Sequence, residues 1–359
     1  LAAARALRQR GIDDVHVFDL EDNAGGNSRG HVMAGMACPL GAHYLPLPGE
    51  RAPEVIALLE ELGLRSTHAG QPRYDERHLC HSPQERLFFN GAWQDGLLPT
   101  AGVGKDTLAQ YAKFAQLVER WRSTGGFQIP IPNTPLALKN IAELAMSFVA
   151  YLDAQGLDDS HLRWYLDYCC RDDYGAGMDA VSAWAGIHYF AARHGFAAPG
   201  GAEASRSSDA YEREKQRDGV LTWPEGNAFL TRALAKPLGE RVLTGRVVLH
   251  ISEGKSGVTV DAMNVQTRAI ERWQAQRCIV ALPDFIAHRV VENPPDFLRH
   301  AAQHTSYSSW LVANVHIDAA LQDTVADKGG AVASWYNVVY IPAPPNTPLA
   351  GGLGYVDAM

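Results

Sequence analysis

The apolar positions of this chain change period from one segment to the next. LAAARALRQR, residues 1–10, is rich in alanine and leucine at helical spacing and stops at Gly11, a residue suited to the left-handed turn that closes a helix. Val15-His16-Val17-Phe18-Asp19 follows as a short apolar run ending in an acid, which predicts a strand. Helix, tight turn and strand make half of a βαβ unit. Gly25-Gly26 opens a turn-rich stretch reaching Gly41-Ala42-His43-Tyr44. Helical spacing then returns over 53–62, with proline near its start and Gly63 at its end.

From about residue 69 the character changes. Arg86-Leu87-Phe88-Phe89 and Trp93 flank Asn90-Gly91, a turn pair that predicts a hairpin. Helices are predicted over 106–122, 135–154, 160–170 and 179–194, followed by a polar surface loop or linker at 200–219. A strand is expected at 220–223 and a helix from Gly226 to about Ala235. Residues 247–251, 258–261, 277–282, 309–317 and 331–341 read as β. The order predicts an α/β chain: a Rossmann-like domain made of 1–68 and 215–290, and a discontinuous α+β domain made of 69–214 and 291–359. No internal repeat interrupts this order.

Composition narrows the function classes. The 359 residues, 46% hydrophobic and 20% charged, suffice for two cores. A net charge of −8 gives no footprint for nucleic acid or an anionic membrane. No apolar run approaches the roughly 20 residues of a membrane span. Five cysteines at irregular spacing do not make a disulfide scaffold, so a reducing, cytoplasmic setting is expected. Residue 1 is leucine and already reads as helix, which leaves room for a missing leader and keeps a periplasmic setting open. At the other end, GGLGYVDAM reads as the approach to a further element.

The strongest chemical signal lies in the first 45 residues. In a dinucleotide fold the first strand enters a glycine turn and a helix, and the second strand ends in an acid that accepts the ribose hydroxyls. Here the helix, the second strand and Asp19 are present, and the glycine turn would precede Leu1. Taken alone, Asp19 is equally a plain strand-end acid. Rival motifs are weaker. Residues 101–106 approach a P-loop but have Pro99 where its first glycine belongs and Asp106 in place of Ser/Thr. His78-Leu79-Cys80-His81 lacks a second ligand pair and reads as a polar hairpin, so no metal is expected. Adjacent Cys169-Cys170 reads as helix interior rather than a redox pair.

VHVFDLEDNAGGNSRG followed by PLGAHYL resembles the flavin-containing amine oxidase and protoporphyrinogen oxidase superfamily of FAD-dependent oxidoreductases. TWPEGNAFLTRALAKPLGERVLTGRVVLHI resembles that family's later glycine-led helix and strand, and CIVALP its strand returning to the FAD sheet. The resemblance covers about 1–65 and 220–317; the helical block between them matches only in type. It implies FAD as cofactor. Asp19 would hold the ribose, Gly25 and Gly26 the diphosphate turn, and Gly41, Ala42, His43 and Tyr44 the segment meeting the flavin. Val248 would pack on the adenine. The usual arginine after Gly-Gly is Asn27 here, with Arg29 further on, and both are candidates for the phosphate or flavin. The resemblance also implies that a glycine turn before Leu1 and a C-terminal segment complete the site, so that these 359 residues alone bind FAD poorly.

For the reaction, hydride transfer from a C–N or C–C bond of a small or apolar substrate to the flavin is expected. Trp164, Tyr165, Tyr168, Tyr174, Trp184, His188 and Tyr189 concentrate in the helical block and serve equally as an aromatic core; Tyr168 and His188 are candidate catalytic groups. Arg171-Asp172-Asp173 is a candidate for orienting a polar substrate, or a solvated helix end. Asn314 falls, by count from Asn293-Pro294-Pro295, where many amine oxidases carry a lysine that holds a water near the flavin. The alternatives are an NAD-linked dehydrogenase and a non-catalytic relative of the fold.

Overall fold

A computed structural model describes residues 1–80, 85–135, 137, 141–193, 195–199, 219–319, 334–342 and 352–356. The expected linker at 200–219 lies outside the described residues up to 218, as does the beginning of the strand expected at 331–341. The chain divides into two compact units. One comprises Leu1–Tyr44, Thr222–Tyr307 and Leu311–His316; the other comprises Leu45–Leu221, Ser308–Trp310 and Ile317–Met359. No described helix is long and apolar enough to cross a membrane.

In the first unit, the helix Ala2–Arg8 leads to the strand Val17–Phe18, which pairs in parallel with Val242–Leu243. The ladder continues through the Asp19 amide to the Leu243 carbonyl (3.0 Å) and the Arg246 amide to the Asp19 carbonyl (2.9 Å). Arg246–Gly254, Gly257–Asn264 and Ile270–Ala275 form an antiparallel meander. Its third strand was not expected from sequence. The strand expected at 277–282 does not form, because those residues find no ladder partner among the described residues. Residues 309–317 likewise form no strand with any of the described residues. The helices Asp284–Val290 and Asp296–His304 close the unit, tied to the meander by the Glu292 amide on the Ile251 carbonyl (2.9 Å).

The second unit holds the larger core. The helices Lys105–Arg122, Phe148–Ala154, Ser160–Tyr174 and Ala183–Ala191 bury Tyr111, Phe114, Phe148, Tyr151, Leu166 and Ile187 together with Leu87 of the hairpin. That hairpin, Glu85–Phe89 with Ala92–Asp95, turns at Asn90 (φ 51°) and Gly91 (φ 82°), the two positive angles a type I′ turn requires. Of the helix expected over 135–154, residue 137 is helical, residues 136 and 138–140 lie outside the described residues, and the next α-helix starts at Phe148; the helix expected over 179–194 starts at Ala183. Ser147 and Ser182 accept from the amides of Ala150 and Ala185, and a serine satisfying an orphan amide outside the helix fixes the start there. Ahead of Ser147, Ala142–Leu144 is a single 3-10 turn.

The units differ from the expected segments at several places, among them the described residues 219–221, which fall in the second unit, and 311–316, which fall in the first. Residues 45–68 belong to the second unit, because Arg65–His68 pairs with Gln71–Tyr74. Residues 291–307 belong to the first, held by the Ile251–Val291 bridge.

Candidate cofactor site

A short hairpin positions the glycine-rich segments. Gly30–Met33 pairs with Met36–Pro39 around Ala34 (φ 51°) and Gly35 (φ 82°), again a turn with two positive angles. The sequence reading missed this hairpin; a glycine in the second turn position between short apolar runs was the available signal. Beyond its open end the ladder continues. The Leu40 amide donates to the Arg29 carbonyl (2.9 Å) and the Ala42 amide to the Asn27 carbonyl (2.8 Å). The hairpin thereby lays Gly25, Gly26 and Asn27 beside Gly41 and Ala42. A Cβ at Gly41 would run into the Asn27 carbonyl, so this approach requires glycine.

The helix Ala228–Ala235 closes on the same segment. The Asn227 amide donates to the Ala42 carbonyl (3.0 Å), its side-chain Nδ2 to the Tyr44 carbonyl (3.0 Å), and Thr222 Oγ1 to the His43 carbonyl (3.1 Å). Gly226 has φ 62°, and a Cβ there would stand 2.8 Å from the Ala42 carbonyl oxygen. Thr231 lies against Gly25 and donates to the Ser28 carbonyl at 3.4 Å. The sequence reading used this helix but did not single out Asn227 or Thr231. The GN pair at the helix start was the signal for Asn227; nothing local marks Thr231.

Asp19 sits at the end of its strand, half-buried, with Oδ1 accepting the Glu21 amide at 3.0 Å. Among the described residues no donor meets its second oxygen, which leaves that oxygen for a hydroxyl. Val248 is on the strand whose first residue bonds the Asp19 carbonyl, and it pairs with Ala262 ahead of a local register shift. It is therefore near Asp19 and not in a remote core. Gly26 has φ 55°, with no atom within 4 Å of where a Cβ would stand, so the turn presents open backbone. An acid with a free oxygen beside an open glycine turn suits a ribose and its diphosphate.

Arg29 is engaged by protein. Its Nη1 lies 2.9 Å from Glu21 Oε2 and 3.7 Å from Asp22 Oδ1, and its Nε donates to the Gly26 carbonyl at 3.2 Å. His43 packs edge-on to Tyr44 at 5.0 Å, and burial holds its imidazole below the usual histidine range, only partly offset by a bond to the Gly41 backbone.

Asn314 donates from Nδ2 to the Pro39 carbonyl (2.8 Å), at the end of the hairpin strand leading into Gly41. Tyr168 and His188 lie instead in the core of the second unit. The Tyr168 hydroxyl meets the Tyr336 hydroxyl and the Leu353 carbonyl, each at 3.0 Å, and burial pushes its pKa up. His188 Nε2 is 2.9 Å from the Gln128 carbonyl, and its ring stacks on Trp184. Arg171 pairs with Asp167 (2.8 Å) and Arg193 with Asp173 (2.9 Å), beside Asp172. All five cysteines are free, with Cys169 and Cys170 buried.

Solved structures share this fold. Putrescine oxidase, wild type bound to putrescine, aligns with a TM-score of 0.61 at 20% identity over 86% of this chain. Cyclohexylamine oxidase from Brevibacterium oxydans aligns at 0.56 and 18% over 84%, and a CLA-producing fatty acid isomerase from P. acnes at 0.53 and 14% over 84%. The chain spans 61%, 60% and 60% of their respective lengths. No curated protein matched the sequence. The family model for flavin containing amine oxidoreductase matches residues 1–349, nearly the whole chain. The chain belongs to that family of α/β flavoproteins, whose cofactor is FAD.

Proposed function

We propose that this chain carries the FAD site and part of the substrate domain of an oxidoreductase that takes a hydride from a C–N or C–C bond of a small or apolar substrate. The first unit would hold the cofactor and the second would contribute to substrate binding. Bound FAD supplies the hydride acceptor. The chain's own residues do the positioning. Asp19 accepts from the ribose, Gly25 and Gly26 let backbone approach the diphosphate, and Gly41, Ala42, His43 and Tyr44 line the flavin. Val248 faces the adenine. His43, partly buried and held toward its neutral form by that burial, would bring no fixed charge to the segment lining the flavin. The observation that carries the reading is the convergence of Asp19, Gly25-Gly26 and Gly41-Ala42 within one unit, through a hairpin and a glycine-led helix. An NAD-linked dehydrogenase does not need the second and third of these segments.

Asn314 supports extending the reaction beyond amines. Its amide is engaged with the Pro39 carbonyl and carries no positive charge, where the resemblance expects a water-holding lysine. Oxidation, desaturation or isomerisation at a C–C bond accords with that replacement as well as amine oxidation does. The test is the visible spectrum of the purified full-length protein, followed by anaerobic reduction with diamines, cyclic amines and unsaturated fatty acids. A flavin band at about 450 nm that bleaches with one class, or that stays while a fatty acid's double bonds are moved, supports the reading and selects the substrate. A colourless protein that takes up no FAD would discard it.

A further inference from the structure

Arg29 reaches the glycine turn, and two of its three guanidinium nitrogens are held by protein. Nη1 pairs with Glu21 at 2.9 Å and Nε donates to the Gly26 carbonyl at 3.2 Å. Glu21 is bound on two further sides: its amide donates to Asp19 Oδ1 at 3.0 Å, and its carbonyl accepts the Gly245 amide at 2.9 Å. Asp19, Glu21, Arg29 and Gly26 thus form a closed chain of contacts from the strand-end acid to the glycine turn. We propose that Arg29 is a positioning residue, clamped by Glu21, that fixes the distance between Asp19 and the Gly26 turn and does not itself bind the diphosphate. The inference rests on the FAD reading above.

Two physical points favour the clamp. To turn Nε or Nη1 toward a phosphate, the guanidinium would have to leave the Gly26 carbonyl or the Glu21 carboxylate, with Asp22 at 3.7 Å adding a second acid, so among the described residues only Nη2 keeps its donors for another acceptor. The Arg29 side chain is also only 23% exposed, so its pairing is less screened by solvent than a surface ion pair. Glu21 matters as much as Arg29 in this arrangement, although nothing in its sequence position marks it.

The two roles predict opposite signs for one substitution. If Arg29 met the diphosphate, Glu21→Gln would release it from a competing carboxylate and tighten binding. If Arg29 is a clamp, Glu21→Gln loosens Asp19 and Gly26 and weakens binding. The experiment titrates ADP, which lacks the flavin, and then FAD, into full-length wild type, Glu21→Gln, Arg29→Met, Arg29→Lys and the double variant Glu21→Gln/Arg29→Met. Both neutral variants are expected to lose affinity by about three- to tenfold, the scale of one partly exposed ion pair. The double variant should lose no more than either alone, and Arg29→Lys should restore part of the loss. The ligand-free melting temperature should shift little, since a merely structural role would move stability and leave ADP affinity alone. Tighter or unchanged ADP binding by Glu21→Gln overturns the clamp and leaves the FAD reading standing. A wild-type protein that binds neither ADP nor FAD overturns both.

Discussion

Asp19 carries the most specific residue-level expectation. Its oriented carboxylate has one oxygen held by the Glu21 amide, so the other is the acceptor lost in Asp19→Ala. Removing one charge-assisted hydrogen bond should weaken FAD binding by about 1.5–3 kcal/mol. Isothermal titration of the variant checks this, and unchanged affinity would remove Asp19 from the site. A second expectation concerns Asp172 near the end of the helix Ser160–Tyr174. Burial, reinforced by neighbouring Asp173 and opposed by Arg193 and Arg171, pushes its carboxyl up to about 6 from an ordinary 3.8. Between those pH values the folded state holds a proton that the unfolded chain has released. Stability from this group is therefore complete below about pH 4 and declines as pH rises through 6. Asp172→Asn should flatten that decline and gain about 2–3 kcal/mol at pH 7. Denaturant melts of both proteins at pH 4.5 and 7 would show it; parallel curves would mean that Asp172 is solvated.

At the scale of elements, helix starts reveal how local chemistry overrides periodicity. Ser147 and Ser182 stop their helices short of the apolar pattern, and the two starts are joined through the Phe148 amide on the Val181 carbonyl (2.8 Å) and the Ala183 amide on the Met146 carbonyl (2.8 Å). Ser147→Ala and Ser182→Ala should each cost about 1 kcal/mol of stability. Because the starts share backbone bonds, the double substitution should depart from the sum; strict additivity in chemical melts would mean that the caps act independently. The hairpins follow turn chemistry. Asn90-Gly91 was legible because both residues tolerate positive φ, whereas Ala34-Gly35 was not, since alanine rarely occupies that region. The third meander strand escaped notice because Ile270 and Arg272 face solvent while Glu271 and Trp273 are half-buried, a pattern that mixes polarity on both faces.

For the whole molecule, the two units have different means of cohesion. The second buries a continuous aromatic and aliphatic core, whereas the first joins short strands, a meander and the glycine-led helix around a smaller set of buried side chains, Trp223, Leu230, Leu238, Ile251 and Val260 with Ala4, Ala228, Ala262 and Ala287. A ligand bound in the first unit should then have a large relative effect there. FAD at a hundredfold excess over its dissociation constant adds about 2.7 kcal/mol to the state that binds it. Thermal melts of the full-length protein with and without FAD should show a higher midpoint for the transition that loses the flavin signal; an unmoved midpoint would argue against a site in that unit.

The local order of helices and strands, the type I′ turn at Asn90-Gly91 and the identity of the family were legible in the residues themselves, because propensity, turn chemistry and glycine spacing act over a few neighbours. The glycine segments and Asp19 could be singled out as candidates in the same way. What they touch could not. That Asn27 meets Gly41, that Gly226 meets Ala42 and that Asn314 reaches Pro39 are contacts across long stretches of chain, decided only when the hairpin and the glycine-led helix pack. The partner of Arg29 is nearer in sequence but was equally hidden, since an ion pair across an irregular loop leaves no period to read. Unpaired strands failed for a related reason. Residues 277–282 have strand composition, but a strand exists only where a second backbone answers its hydrogen bonds, and that is a property of the tertiary fold.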